Sequence, residues 1–121
     1  MAVEPEAAAL ARFRDEDPGG PVVMLNLLRF GEGGFGAYQE YGRQLRDTFL
    51  PRYGAKVLYA GSAATVLVGD AGQTWDAVVV VRYPDRATFS AMIADPDYLA
   101  VARLRAEALT EAVLQATVPW R

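Results

Sequence analysis

The chain has 121 residues, 52% of them hydrophobic, with a formal charge of -3 and a pI near 4.9. This length and composition suit one domain with a real core, and no cluster of Lys or Arg gives the basic footprint of a nucleic-acid binder. Cysteine and histidine are both absent, which excludes disulfides, thiolate nucleophiles, zinc-cysteine and iron-sulfur sites, histidine-ligated haem and the Ser-His-Asp arrangement.

Met1 to Arg14 hold no basic stretch followed by an apolar one, so they do not read as a secretory signal. No apolar run approaches the length of about eighteen residues needed to span a bilayer, so no membrane partner is expected and the cytoplasm is the expected location. Pro5 opens a run rich in Ala, Glu and Arg that predicts a short N-terminal helix, broken by Asp17-Pro18-Gly19-Gly20. Residues 1–20 thus form a helix and linker ahead of a domain over 21–121. Val22 to Phe30 is apolar and partly β-branched and predicts the first strand. Gly31 to Gly36 is glycine-rich but matches neither a phosphate loop nor a dinucleotide fingerprint, so it reads as a flexible turn or a lid.

From Ala37 onward Tyr38, Tyr41, Leu45, Phe49 and Tyr53 recur at spacings of three and four, the stripe of an amphipathic helix that Pro51 tightens and Gly54 stops. Val57 to Ala60 and Thr65 to Val68 predict one strand with a bulge near Gly61-Ser62. Ala77 to Tyr83, with four successive valines, predicts a third strand. Asp85 caps a helix bearing Phe89, Met92 and Ile93; Asp95-Pro96 restarts it toward Leu109, and Val113 to Val118 supplies a fourth strand. The order β, α, β, β, α, β defines an α+β, ferredoxin-like domain on an antiparallel four-stranded sheet, with an extra N-terminal helix.

A half-exposed strand alternates apolar and polar residues, because successive side chains point to opposite faces. These strands do not. Val22, Met24 and Leu28 fall on one face of the first strand and Val23, Leu25 and Leu27 on the other; Ala77, Val79 and Val81 oppose Val78 and Val80 in the third. Two crossover helices of the same hand cover one face only. A second copy pairing through the bare face is the expected cover, since a two-fold interface is self-complementary. A short N-terminal helix folded back over the sheet is the alternative.

Asn26 interrupts the apolar first strand, and a buried amide requires partners: a ligand on the functional reading, a neighbouring group on the structural one. Arg29 and Arg82, near strand ends, offer the fork geometry that binds carboxylates, or are solvated charges. Tyr38, Tyr41, Trp75, Phe89, Tyr98 and Arg105 complete the candidate set. Tyr98 and Arg105, seven residues apart, share a helix face. Such stripes are core more often than site, yet a buried tyrosine requires a partner for its hydroxyl. Three tyrosines and an arginine under a sheet make a pocket with an apolar body and a few polar points.

The segments Val23 to Phe30, Tyr38 to Tyr41, Arg52 to Ala55, Val57 to Gly61, Trp75-Asp76, Val81 to Pro84 and Asp95 to Tyr98, with Arg105, resemble the DUF1330 family, a branch of the dimeric α+β barrel superfamily. The resemblance covers about residues 21 to 118. It implies a ferredoxin-like fold and a homodimer closed sheet against sheet, and it implies no function. The superfamily includes cofactor-free monooxygenases, polyketide cyclases, muconolactone isomerase-like and haem-degrading enzymes and ligand-sensing domains; the haem-degrading members rely on histidine, which this chain lacks.

Two classes of function follow. One is a cofactor-free enzyme on a small, apolar, oxygenated molecule, with Tyr41 or Tyr98 as proton donor, Asn26 and Arg105 stabilising an oxyanion, and Tyr38, Trp75, Arg82 and Phe89 binding substrate. The other is a non-catalytic ligand-binding or structural dimer.

Overall fold

A computed structural model describes residues 3–120. Helix α1 (Ala7–Asp15) precedes β1 (Val22–Phe30), and α2 (Gly34–Gln44) continues through a π-helical turn (Leu45–Phe49) into the short α3 (Leu50–Arg52). Strands β2 (Lys56–Ser62) and β3 (Ala77–Tyr83) are followed by α4 (Arg86–Ala94), α5 (Pro96–Ala108) and β4 (Leu109–Thr117). The sheet order is β2-β3-β1-β4, antiparallel throughout. This is the ferredoxin-like βαββαβ arrangement with α1 added in front.

The period of two in β1 decides which way the sheet faces. Val22, Met24, Asn26 and Leu28 are buried while the residues between them are half-buried. Register places Met24 beside Val81, Asn26 beside Val79 and Leu28 beside Ala77, so these share one face. Tyr41, Leu45, Phe49, Phe89, Met92 and Tyr98 pack on it, joining Val22, Met24, Val81 and Tyr83 in the main core. A smaller cluster gathers Leu28, Ala77, Ala108 and Leu109.

The opposite face presents Val23, Leu25 and Leu27 of β1, Val78 and Val80 of β3, and, by register, Val113 of β4 and Tyr59 of β2. Among the described residues no helix covers it. Helix α1 lies on the other side: the Phe13 ring meets Phe89 edge-on at 5.5 Å, and Arg86 Nη1 donates to the Phe13 carbonyl at 2.7 Å. The alternative in which α1 closes the bare face is thereby removed.

Four local expectations are corrected. Thr65 to Val68 forms no strand: β3 begins at Ala77, which pairs with Ser62, so no partner remains beyond it. The bulge of β2 falls between Val57 and Tyr59, not at Gly61-Ser62. Helix α2 starts at Gly34 rather than Ala37, entered through Gly33 in the left-handed region at φ 69°. A Cβ on Gly34 would lie 2.1 Å from the Ala108 carbonyl oxygen, so this glycine permits a close approach of α2 to the end of α5 and is buried, not part of a mobile lid. Strand β4 begins at Leu109, four residues before Val113, because the chain leaves α5 directly into extended backbone there.

Candidate ligand site between helices and sheet

Helix α2 presents Tyr38 and Tyr41 at a spacing of three, and α5 presents Tyr98 and Arg105 two turns apart, so each pair points from one helix face. With Asn26 of β1 and Tyr83 of β3 they line a cavity of about 510 Å³ between the layers, inside the range of small-molecule sites. The rest of the wall is mostly apolar, and Phe89 belongs to it. Glu4, Pro5 and Leu10, from the chain leading into α1 and from its first half, line one side.

The tyrosines form a chain. The Tyr38 and Tyr41 rings lie 5.5 Å apart and the Tyr41 and Tyr98 rings 6.3 Å apart, with the two hydroxyl oxygens of the latter pair at 2.8 Å. Burial is the main cause that raises Tyr41 well above its ordinary value, and Tyr98 beside it adds to the effect. Burial likewise raises Tyr98, while its hydrogen bond with Tyr41 and the positive Arg105 oppose the rise. Burial also raises Tyr38 and Tyr83, and Arg105 opposes the rise in both. These hydroxyls are therefore protonated hydrogen-bond donors at neutral pH, and none is a base.

Arg105 is 7% exposed. Its Nη1 donates to the Val3 carbonyl, and its Nη2 is buried without a hydrogen-bond partner among the described residues. None of the ion pairs among those residues includes it. Asn26 resolves its own burial through the backbone, its Nδ2 donating to the Val79 carbonyl at 3.3 Å.

The structure thus brings Asn26, Tyr38, Tyr41, Phe89, Tyr98 and Arg105 together, and it leaves Trp75 and Arg82 out. Arg82 stands between Val81 and Tyr83, which face the helices, so the strand period turns it onto the bare face, where it is exposed. Trp75 lies beyond the start of β3 with the Arg29 guanidinium 4.5 Å from its ring. Arg29 is fully engaged there, its Nε donating to Glu111 at 2.8 Å. Two contributors had escaped sequence reasoning. Tyr83 carried a usable signal, its parity with Val79 and Val81; the Val3 carbonyl carried none, since it depends on where α1 packs.

A ferredoxin-like sheet backed by helices, with aromatic hydroxyls and, among the described residues, one buried guanidinium between the layers, defines a small α+β domain with an interior cavity. The chain belongs to DUF1330, a domain of unknown function, whose family model matches residues 36–117. It is similar to RPA0582, a protein of unknown function from Rhodopseudomonas palustris, with 32% identity and a TM-score of 0.88 over 98% of this chain and 97% of that one. Its fold is shared by a dimeric protein of unknown function and ferredoxin-like fold from Bacteroides fragilis (10% identity, TM-score 0.57, 80% and 94% of the two chains). An uncharacterized NIPSNAP domain protein from Burkholderia xenovorans is similar in the same way (16% identity, TM-score 0.60, 82% and 94%). No curated protein matches the chain in sequence. Among the described residues no helix is long and apolar enough to cross a membrane, and no group of three or more Asp or Glu is arranged to hold a metal ion.

Proposed function

We propose that this chain is a cytoplasmic homodimer closed through the bare sheet face, and that each copy holds in its helix-side cavity a small apolar molecule bearing one anionic oxygen group, without metal or nucleotide. The observation that carries the site is Arg105. A guanidinium removed from water is unfavourable by several kcal/mol unless it is paired, Arg105 has no ion pair among the described residues, and a carboxylate, enolate or phenolate entering the cavity offsets that penalty through a charge-assisted hydrogen bond to Nη2. The apolar wall takes the body of the ligand, and the tyrosine hydroxyls orient its oxygens.

A second reading is supported by the Tyr41–Tyr98 pair. A phenol kept neutral by burial, hydrogen-bonded to a second phenol and close to a cation, suits protonation of an enolate held on Arg105. The lining contains no carboxylate other than Glu4, so the site favours proton donation over abstraction.

Titration with 2-naphthoate and with the uncharged 2-naphthalenemethanol tests the binding reading. Loss of a hydrogen bond to a charged group costs roughly 1.5–3 kcal/mol, so Arg105→Met should weaken naphthoate binding about 10- to 100-fold and leave the alcohol little changed. Equal affinity of the wild type and Arg105→Met for naphthoate contradicts the proposal.

A further inference from the structure

A second space adjoins the cavity. It is a groove of about 690 Å³ between α1 and β4, walled by Leu10 and Phe13 of the helix and by Ala112, Leu114 and Ala116 of the strand. Register sets these three strand residues opposite Leu28, Asn26 and Met24, the helix-facing residues of β1, so the groove lies on the same side of the sheet as Arg105. Burial along it is that of a packing layer left open. Leu114 is 36% exposed on a side of the sheet that is otherwise core, and Leu10 and Phe13, which pack toward the core from α1, are only half-buried. Helix α1 is anchored to α4, where Phe13 meets Phe89 and the Arg86 guanidinium sits 4.7 Å from the Phe13 ring. The methyl side chains of Ala112 and Ala116 leave the space between that helix and β4 unfilled, and apolar walls left open to water favour an apolar occupant.

Groove and cavity share a partition. Leu10, Met24, Phe89 and Leu114 line both, as do Glu4 and Pro5 of the segment leading into α1. Two parts of that partition yield most easily: Met24, whose unbranched side chain has several rotamers, and Leu10, carried on a helix that has no buried residue.

We infer that cavity and groove form one elongated site for a straight-chain carboxylate, its head on Arg105 and its tail running past Met24 and Leu10 into the groove, a site that rests on the Arg105 reading above and lengthens its ligand. Charge sets the direction. Arg105 offers an unpartnered Nη2 inside the cavity, whereas Arg86, beside the groove, is already engaged with the Phe13 carbonyl and lies 3.9 Å from Asp17. Glu4, Glu6 and Glu16 stand along the groove against Arg12. An anionic head is therefore drawn inward and disfavoured in the outer space, which takes methylenes. Ala112 and Ala116 determine how long a chain is accepted, because a larger side chain at either position fills the groove.

Calorimetric titration with hexanoate, nonanoate, dodecanoate and 2-naphthoate, each below its micelle concentration, measures the reach. Burying one methylene strengthens binding by up to roughly four-fold, so affinity should rise by about ten-fold or more from hexanoate to nonanoate and again to dodecanoate. Ala112 and Ala116 line the groove and not the inner cavity. Ala112→Leu and Ala116→Phe should each weaken dodecanoate about ten-fold or more and leave 2-naphthoate within about three-fold, the naphthoate titration also showing that each variant is folded. Arg105→Met should weaken all four acids. Dodecanoate bound no more tightly than hexanoate, or bound equally by the wild type and both groove-filled variants, overturns the elongated site and spares the Arg105 reading if naphthoate still depends on Arg105. Dodecanoate bound equally by the wild type and Arg105→Met puts the chain in the groove without its head on Arg105 and overturns the inference. Binding of none of the four acids overturns both.

Discussion

The hydroxyl oxygens of Tyr41 on α2 and Tyr98 on α5 lie 2.8 Å apart, joining the two helices that roof the cavity through one buried hydrogen bond. Each hydroxyl satisfies the other, so removing one strands its mate away from water. Tyr41→Phe and Tyr98→Phe should each lower stability by about 1–3 kcal/mol, whereas the double replacement should cost clearly less than the sum. Urea denaturation of the four proteins at one fixed concentration gives the coupling directly; additive losses contradict the shared bond.

The same burial has a signature at high pH. Tyr38, Tyr41, Tyr83 and Tyr98 all have folded-state values raised above that of an unfolded tyrosine, near 10. For a group with a raised value the stabilising contribution is fully present below the unfolded value and is lost as pH rises toward the folded one. Stability should therefore be flat into the mildly alkaline range and fall steeply above about pH 10, by about 1.4 kcal/mol per pH unit for each tyrosine kept neutral. Phenolate absorbance of these four should appear together with unfolding rather than before it.

Asp95 shows the opposite sign. It caps α5 by accepting from the Asp97 N–H at 2.9 Å, and it accepts from the Tyr53 hydroxyl at 2.6 Å and from Arg52 at 2.8 Å. The Tyr53 bond first, then the backbone donor, hold its carboxyl below the usual range. This contribution is present above the ordinary carboxylate value near 4 and is lost as pH falls through the lowered one. Asp95→Ala should lower the Tm at neutral pH more than Asp95→Asn, which keeps a cap acceptor, and both should narrow the gap to wild type in acid.

Neighbouring glycines in α2 should respond in opposite directions. Gly34→Ala drives a Cβ into the Ala108 carbonyl oxygen and forces α2 away from α5, a loss on the order of 1–3 kcal/mol or more, which loosens the wall carrying Tyr38 and Tyr41. Gly36→Ala meets nothing within 4 Å and should stabilise by up to about 1 kcal/mol through the helical preference of alanine. Thermal melts of the two variants check both signs.

Much of this architecture was legible before any coordinates, for reasons that particular residues make plain. Val22–Phe30 and Ala77–Tyr83 are strands with those bounds because their apolar, β-branched runs end at Gly31 and Pro84. Asp85 and Asp95 cap the helices that follow them, since a short acidic side chain before a helical stripe has little else to do. Thr65–Val68 misled because strand propensity describes a fit to a pleated neighbour and cannot supply one. The cavity is legible as a stripe, Tyr38, Tyr41, Tyr98 and Arg105 sharing helix faces, whereas the parity of Arg82 against Val81 and Tyr83 turns it away from that cavity. The unpaired Nη2 of Arg105 was beyond reach of the sequence, being a property of every group around it and of the Val3 carbonyl some hundred residues away.

The measurement that bears most directly on the site is a crystal structure of the protein grown with saturating 2-naphthoate. The ring is expected among Tyr38, Tyr83 and Phe89, with one carboxylate oxygen within hydrogen-bonding distance of Arg105 Nη2 and the Tyr41–Tyr98 bond intact. A cavity that stays empty at saturation, or naphthoate bound only on the outer surface with Arg105 untouched, contradicts it.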